Sequence, residues 1–146
     1  MPIAERSAQS VWQGDLAHGS GSLTSGSGAL GELPVTWASR TERSEGKTSP
    51  EELIAAAHAS CFSMALAHGL TQAGNAPESL TVSANVTLDR VGDAPTVTTS
   101  ALTVSGKVPG LDQDGFAAAA ADAGRNCPIS RALAGVQVTV EATLEA

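Results

Sequence analysis

Ser49-Pro50-Glu51-Glu52-Leu53-Ile54-Ala55-Ala56-Ala57-His58-Ala59-Ser60-Cys61-Phe62-Ser63-Met64-Ala65-Leu66-Ala67 is the stretch on which the fold turns. A capping serine, a proline at the first helical position and a glutamate at N3 satisfy the unpaired N–H groups of a first helical turn. Gly74 is a natural stop, so the pattern predicts a helix over Pro50–Ala73, 24 residues and about 36 Å long. From Ile54 to Ala67 the residues are apolar or small on every face, as in a helix surrounded by protein. That run is 14 residues with His58 inside it, shorter than the roughly 20 needed to cross a bilayer. A central buried helix is expected, with no membrane partner.

Before this helix, Ser7 to Trp37 mixes dense Gly and Ser with single apolar residues, the pattern of three short strands in a glycine-rich antiparallel meander. Thr36–Lys47 carries charge and turn residues and is expected to be a loop. After it, Leu80–Leu88 and Val97–Val108 alternate apolar and polar residues around Gly92-Asp93-Ala94-Pro95, a hairpin. Asp112 can cap an alanine-rich helix through Ala123. Asn126-Cys127-Pro128 opens a short helix ending near Gly135, and Val136–Leu144 is a period-2 strand. The expected fold is α+β, a mainly antiparallel sheet around the long helix, in a single domain over residues 1–146.

Composition excludes several classes of function. Eight Lys and Arg against 15 Asp and Glu give a formal charge of −7, the wrong sign for a protein that gains affinity by neutralising phosphates. A chain 42% hydrophobic and 16% charged is too apolar for disorder and too sparsely charged to stay soluble as a small monomer, so an oligomer is expected. Glu5 and Arg6 fall where a signal peptide would need an apolar run, which predicts a cytoplasmic protein. Cys61 and Cys127, the two cysteines of the chain, are too few and too distant for a disulfide scaffold or a four-cysteine zinc site.

Cys61 lies inside the apolar helix, where a free thiol can serve simply as a small core residue. Cys127, next to Pro128 at the start of a short helix, faces the positive end of a helix dipole that favours a thiolate, although a structural role fits it equally well. His58, Cys61 and His68 share one helix but lack a fourth metal ligand at suitable spacing. The glycine-rich stretches lead into strands and not helices, unlike a phosphate loop, and no G-x-S-x-G elbow is present. No metal and no cofactor are expected.

Thr48–Leu66, with Cys61 toward its C-terminal end, resembles the signature helix of the OsmC/Ohr family, and specifically its OsmC branch. Cys127-Pro128-Ile129-Ser130 is similar to the second motif of that family, and Val11-Trp12-Gln13-Gly14-Asp15 is also OsmC-like, so the resemblance spans essentially the whole chain. It implies an intertwined homodimer with its long helices wrapped by two sheets, active as a thiol-dependent peroxidase on organic hydroperoxides in oxidative and osmotic stress defence. Cys61 would match the peroxidatic cysteine, oxidised to a sulfenic acid, and Cys127 the resolving one that forms a disulfide with it. A dithiol, such as a lipoyl group on a partner protein, would reset the pair.

A thiol with the ordinary pKa of about 8.5 is only a few per cent thiolate at neutral pH, and burial raises that pKa, so a cation must compensate. Arg40 matches the OsmC arginine, with Arg43, Lys47, Arg125 and Arg131 as substitutes, and residues 19–31 hold no counterpart of the early arginine of the Ohr branch. Glu51 matches the glutamate that orients that arginine, with a simple charge at the helix N-terminus as the competing role. Ten residues of helix, about 15 Å, separate Glu51 from Cys61, so the resemblance implies a site at the dimer interface. A pocket of Leu53, Ile54, Trp37, Phe62 and Met64 would favour an alkyl or aryl hydroperoxide over hydrogen peroxide. The alternative reading is a noncatalytic redox sensor, or a binding module for an apolar ligand, on the same fold.

Overall fold

The computed structural model describes residues 1–146 as two units, Met1–Leu53 and Ile54–Ala146. In the first, β1 (Ala8–Gln13), β2 (Ser20–Ser25) and β3 (Glu32–Val35) form an antiparallel sheet in that order. Its glycine content has a physical reason at Gly21, which pairs with Trp12. A Cβ there would come within 2.8 Å of the Trp12 ring and of Val35, so glycine lets the indole lie flat across the neighbouring strand.

Thr36–Lys47 departs from the expected loop. Thr36 caps a short helix, α1 (Trp37–Thr41), by accepting from the Ser39 N–H while the Ser39 hydroxyl accepts from the Thr36 N–H. This reciprocal box uses serine in place of the usual Glu or Gln, which is why the sequence reads as a loop. The long helix, α2 (Pro50–Gln72), begins at the expected proline and ends two residues before Gly74. Ser49 Oγ caps the Glu52 N–H at 3.1 Å, and the Glu52 carboxylate accepts from Thr48 Oγ1 at 2.7 Å.

The second unit holds most of α2, then β4 (Ser79–Val91), β5 (Ala94–Lys107), α3 (Gln113–Asn126), α4 (Pro128–Ala132) and β6 (Gln137–Leu144). β4 and β5 make the expected hairpin, closed by Gly92 and Asp93. β6 runs parallel to β5. A parallel neighbour requires a crossover connection, and α3 with α4 supplies it.

Leu102 and Val104 of β5, Phe116, Ala120 and Ala123 of α3, and Phe62, Leu66 and Leu70 of α2 form the core. Phe62 and Phe116 are fully buried, each worth roughly 1.5–3 kcal/mol of transfer free energy. Within one chain α2 is buried along the stripe His58, Phe62, Leu66 and Leu70, spaced four residues apart, whereas Ala56, Ala57, Ser60 and Met64 are exposed. By length and composition alone α2 is also long and apolar enough to cross a membrane, contrary to the reading of its 14-residue centre. Within this chain only 22% of that apolar stretch is buried, so the helix is not surrounded by protein on every face as its sequence led one to expect, and only the stripe at four-residue spacing is packed.

α3 approaches β6 closely at Gly124, where a Cβ would stand 2.6 Å from Val140 Cγ2. Valine is stiff at χ1 and cannot swing aside. Gly124→Ala is therefore expected to lower stability, with overpacking of about 1–3 kcal/mol outweighing the roughly 1 kcal/mol that alanine gains in a helix. Urea unfolding checks this, and an unchanged or raised midpoint would contradict it.

Candidate active site

The crossover between β5 and β6 breaks at Cys127-Pro128. Proline disfavours helical backbone at the preceding residue, and Cys127 accordingly sits at φ −55° and ψ 130°, closing α3 and opening α4. Its N–H donates to the Ala123 carbonyl at 2.9 Å, and its carbonyl accepts from the Arg131 N–H at 3.1 Å. The sulfur does what a capping oxygen would do, accepting from the Ser130 N–H at 3.5 Å.

Cys61 projects from α2 onto this corner, near enough to Cys127 for each thiol to act on the other's acidity. Sequence alone had no means of bringing residues 61 and 127 together. Both cysteines are free; Cys61 is half-buried and Cys127 fully buried. Burial pushes the Cys61 thiol up, the Ile129 N–H draws it partly back, and Cys127 raises it again. Burial also opposes ionisation of Cys127, but the Ser130 N–H, the Cys61 thiol, the Ser130 hydroxyl and the Ile129 N–H together hold it below its ordinary value. Cys61 is the less buried of the two residues.

His58, one turn before Cys61 on α2, is completely buried with both ring nitrogens occupied. Nδ1 lies 2.6 Å from Ser100 Oγ of β5, and Nε2 lies 2.8 Å from Ser130 Oγ of α4. Desolvation lowers its pKa, so the imidazole is neutral. Ser130 stands in the quoted Cys-Pro-Ile-Ser motif and could have been singled out from it, whereas nothing in the sequence marks Ser100.

In the first unit, Arg40 and Glu51 form a two-pronged ion pair. Arg40 Nε and Nη2 donate to the two carboxylate oxygens of Glu51, each at 2.9 Å. Glu51 is buried at 7% exposure, and the guanidinium also lies over the Trp37 ring, 5.9 Å from its centroid. Arg40 reaches this position because α1 carries it, and α1 is tied to the start of α2 by the Ser39 hydroxyl, which donates to the Thr48 carbonyl at 2.8 Å. The expected apolar pocket is not built as drawn. Phe62 is sealed in the core while Met64 is 70% exposed, since two residues along a helix turn through about 200° and face opposite ways.

Residues 43–141 match the family described as OsmC-like protein. The chain is 41% identical over 128 residues to the peroxiredoxin OsmC of Escherichia coli strain K12, covering 88% of this chain and 89% of that protein. Among solved structures it is similar to the organic hydroperoxide resistance protein OhrB of Bacillus subtilis, with a TM-score of 0.73 and 25% identity over 94% of this chain and 98% of that one. The OsmC-like protein of Mycoplasma pneumoniae shares the fold, with a TM-score of 0.76 at 13% identity over 99% of this chain and 100% of that one. With a family match over most of its length and a relative of this identity, the chain belongs to the OsmC-like protein family.

Proposed function

We propose that this chain is a cysteine-based peroxidase that reduces organic hydroperoxides to alcohols in oxidative and osmotic stress. The observation that carries the reading is the proximity of two free thiols, one half-buried and one fully buried, close enough to influence each other's acidity. The Cys61 thiolate attacks the outer oxygen of ROOH, the O–O bond breaks, Cys61 keeps the hydroxyl, and the leaving alkoxide takes from solvent the proton that the thiol released on ionising, departing as ROH. Cys61 becomes a sulfenic acid. The Cys127 sulfur then attacks Cys61 Sγ, the S–O bond breaks and water leaves. A dithiol reduces the disulfide and is itself oxidised; a lipoyl group has the right chemistry, and the reducing cytoplasm is the fitting compartment.

Burial holds the Cys61 thiol high, so the thiolate requires a cation. Arg40 is the candidate, held in position by Glu51. Because Glu51 precedes Cys61 by ten residues of α2, about 15 Å of rise, we assign the Arg40–Glu51 pair to the Cys61 site of a partner chain in a homodimer. The exposed face of α2, with Ala56, Ala57 and Met64, is the surface such a partner would cover.

Met64, three residues beyond Cys61, gives the accessible thiol an apolar neighbour on the same helical face. A carbon-bearing leaving group gains from such a neighbour, and hydrogen peroxide has none to offer. One equivalent of cumene hydroperoxide is expected to convert both thiols to one intramolecular disulfide, read by intact mass and thiol counting, and hydrogen peroxide to do so more slowly. Survival of both thiols would favour the noncatalytic binding or sensing role; equal rates with both peroxides would remove the apolar preference.

A further inference from the structure

We propose that His58 is a positioning residue for the resolving step: its hydrogen bond to the Ser130 hydroxyl latches α4 onto α2 and so sets the offset at which the Cys127 sulfur meets Cys61. The inference rests on the resolving role proposed above for Cys127, while the latch itself is a feature of the folded chain.

The short helix α4 runs only from Pro128 to Ala132, and Ser130 is its one buried residue. A helix of that length does not hold itself in place; it needs tertiary contacts, and here the contact made into the core is a serine. The Ser130 hydroxyl lies 2.8 Å from Nε2 of His58, an imidazole with no exposure at all. The other ring nitrogen, Nδ1, lies 2.6 Å from Ser100 Oγ of β5. Turning the ring would therefore break two hydrogen bonds where water does not reach to replace them. The imidazole is a fixed post, and α4 is tied to it.

Spacing along the chain carries this to the thiols. His58 and Cys61 are three residues apart on α2, and Cys127 and Ser130 are three residues apart across the start of α4, so each pair lies along one helical face. The pairs oppose each other in reverse chain order, with Ser130 against His58 and Cys127 beside Cys61. A 2.8 Å bond between the first two residues fixes the offset between the second two. The backbone of Cys127 has its own anchor, an N–H that donates to the Ala123 carbonyl of α3 at 2.9 Å. Its sulfur depends on α4, since it accepts from the Ser130 N–H at 3.5 Å. Losing the latch leaves Cys127 on its backbone anchor but frees α4, and the sulfur with it. Cys61 keeps its own reactivity, and only the attack on it by Cys127 loses its preset geometry.

The test uses dithiobis(nitrobenzoate), a disulfide whose reaction needs no peroxidase activity. The Cys61 thiolate attacks it to form a mixed disulfide and release one nitrothiobenzoate, at a rate that rises with reagent concentration. The Cys127 thiol, its proton lost to solvent, then attacks Cys61 Sγ; the mixed disulfide breaks, and a second nitrothiobenzoate leaves in a phase independent of concentration. Stopped-flow absorbance counts both. Ser130→Ala is expected to slow the second phase about tenfold, the scale of one lost hydrogen bond, and to leave the first unchanged. Ser130→Thr keeps the hydroxyl and has room for its methyl in the adjoining cavity of about 450 Å³ between α3, α4 and β6, so it should restore the second phase. Ser100→Ala controls for a merely structural role: it too leaves one imidazole nitrogen unpaired, yet it keeps the latch, so it should slow the second phase far less. His58→Leu should match Ser130→Ala, and combining the two should slow the phase no further; if His58→Leu fails to fold, the serine variants carry the test. Equal slowing in the two alanine variants, an unslowed second phase in Ser130→Ala, or the lack of a concentration-independent phase in the wild type would overturn the proposal. Both phases present in a wild-type protein whose thiols survive cumene hydroperoxide would overturn the peroxidase reading and leave the latch intact.

Discussion

Cys61→Ser is expected to abolish peroxidase turnover, lowering kcat/KM for cumene hydroperoxide with dihydrolipoamide by about 1,000-fold or more, the scale on which removal of a covalent nucleophile acts. Serine keeps the size of the side chain and its place on α2, but a hydroxyl does not ionise near neutral pH and cannot be carried through a sulfenic acid. The comparison with Cys127→Ser gives the prediction its content. Serine at position 127 can still accept from the Ser130 N–H and so preserve the cap of α4, and the substrate still meets Cys61. That variant should therefore consume one equivalent of peroxide and stop, holding a sulfenic acid that dimedone traps. Should Cys127→Ser be the variant that fails to oxidise, with Cys61→Ser reacting normally, the two roles would be reversed. The lowered pKa of Cys127 makes that a real contest; exposure favours Cys61, which is half-buried where Cys127 is fully buried.

Arg40→Met is expected to lower kcat/KM by about 100- to 1,000-fold, as does loss of a preorganised group that stabilises developing negative charge. Methionine retains the flexible apolar stem, so the comparison isolates the guanidinium. Two charges depend on that cation in the proposed reaction, the thiolate before the O–O bond breaks and the alkoxide after it. Arg40→Lys should recover only a small part of the loss: an ammonium cannot make the paired 2.9 Å contacts to both oxygens of Glu51 and is strongly hydrated. Glu51→Gln should lose activity in the same direction with less effect on the rate of sulfenic acid resolution, which the cation does not serve. Stopped-flow oxidation followed by mass analysis separates the two steps. Wild-type rates in Arg40→Met would remove Arg40 from the site and turn attention to Arg43, Lys47, Arg125 and Arg131.

Much of the fold was legible because its signals are local. The Ser49-Pro50 start of α2, the Asp112 cap of α3 and the alternation of Gln137–Leu144 each specify an element from a few adjacent residues. The short helix α1 was missed because its capping box closes through Ser39, not a glutamate. The apolar pocket expected from the sequence does not form because apolar character does not tell which helical face meets the core; packing turns Phe62 in and Met64 out. Motif and chemistry mark Cys61, Cys127, Arg40 and Glu51 in the sequence. Their partners were another matter: the Arg40–Glu51 fork and the two serines on His58 are contacts between residues 11, 42 and 72 positions apart.

By itself, the sequence determined the helix that carries Cys61, the break at Cys127-Pro128, the hairpin and the acidic, sparsely charged character of the chain, since each depends on backbone preference, capping or composition. The tertiary structure decided that the two thiols lie close enough to influence each other, that β6 lies parallel to β5, and that a neutral histidine links Ser100 to Ser130. The reason is physical: a thiol's acidity and partners are set by what desolvates it and which N–H and hydroxyl groups point at it, and those groups arrive from α2, α4 and β5 only when the core closes.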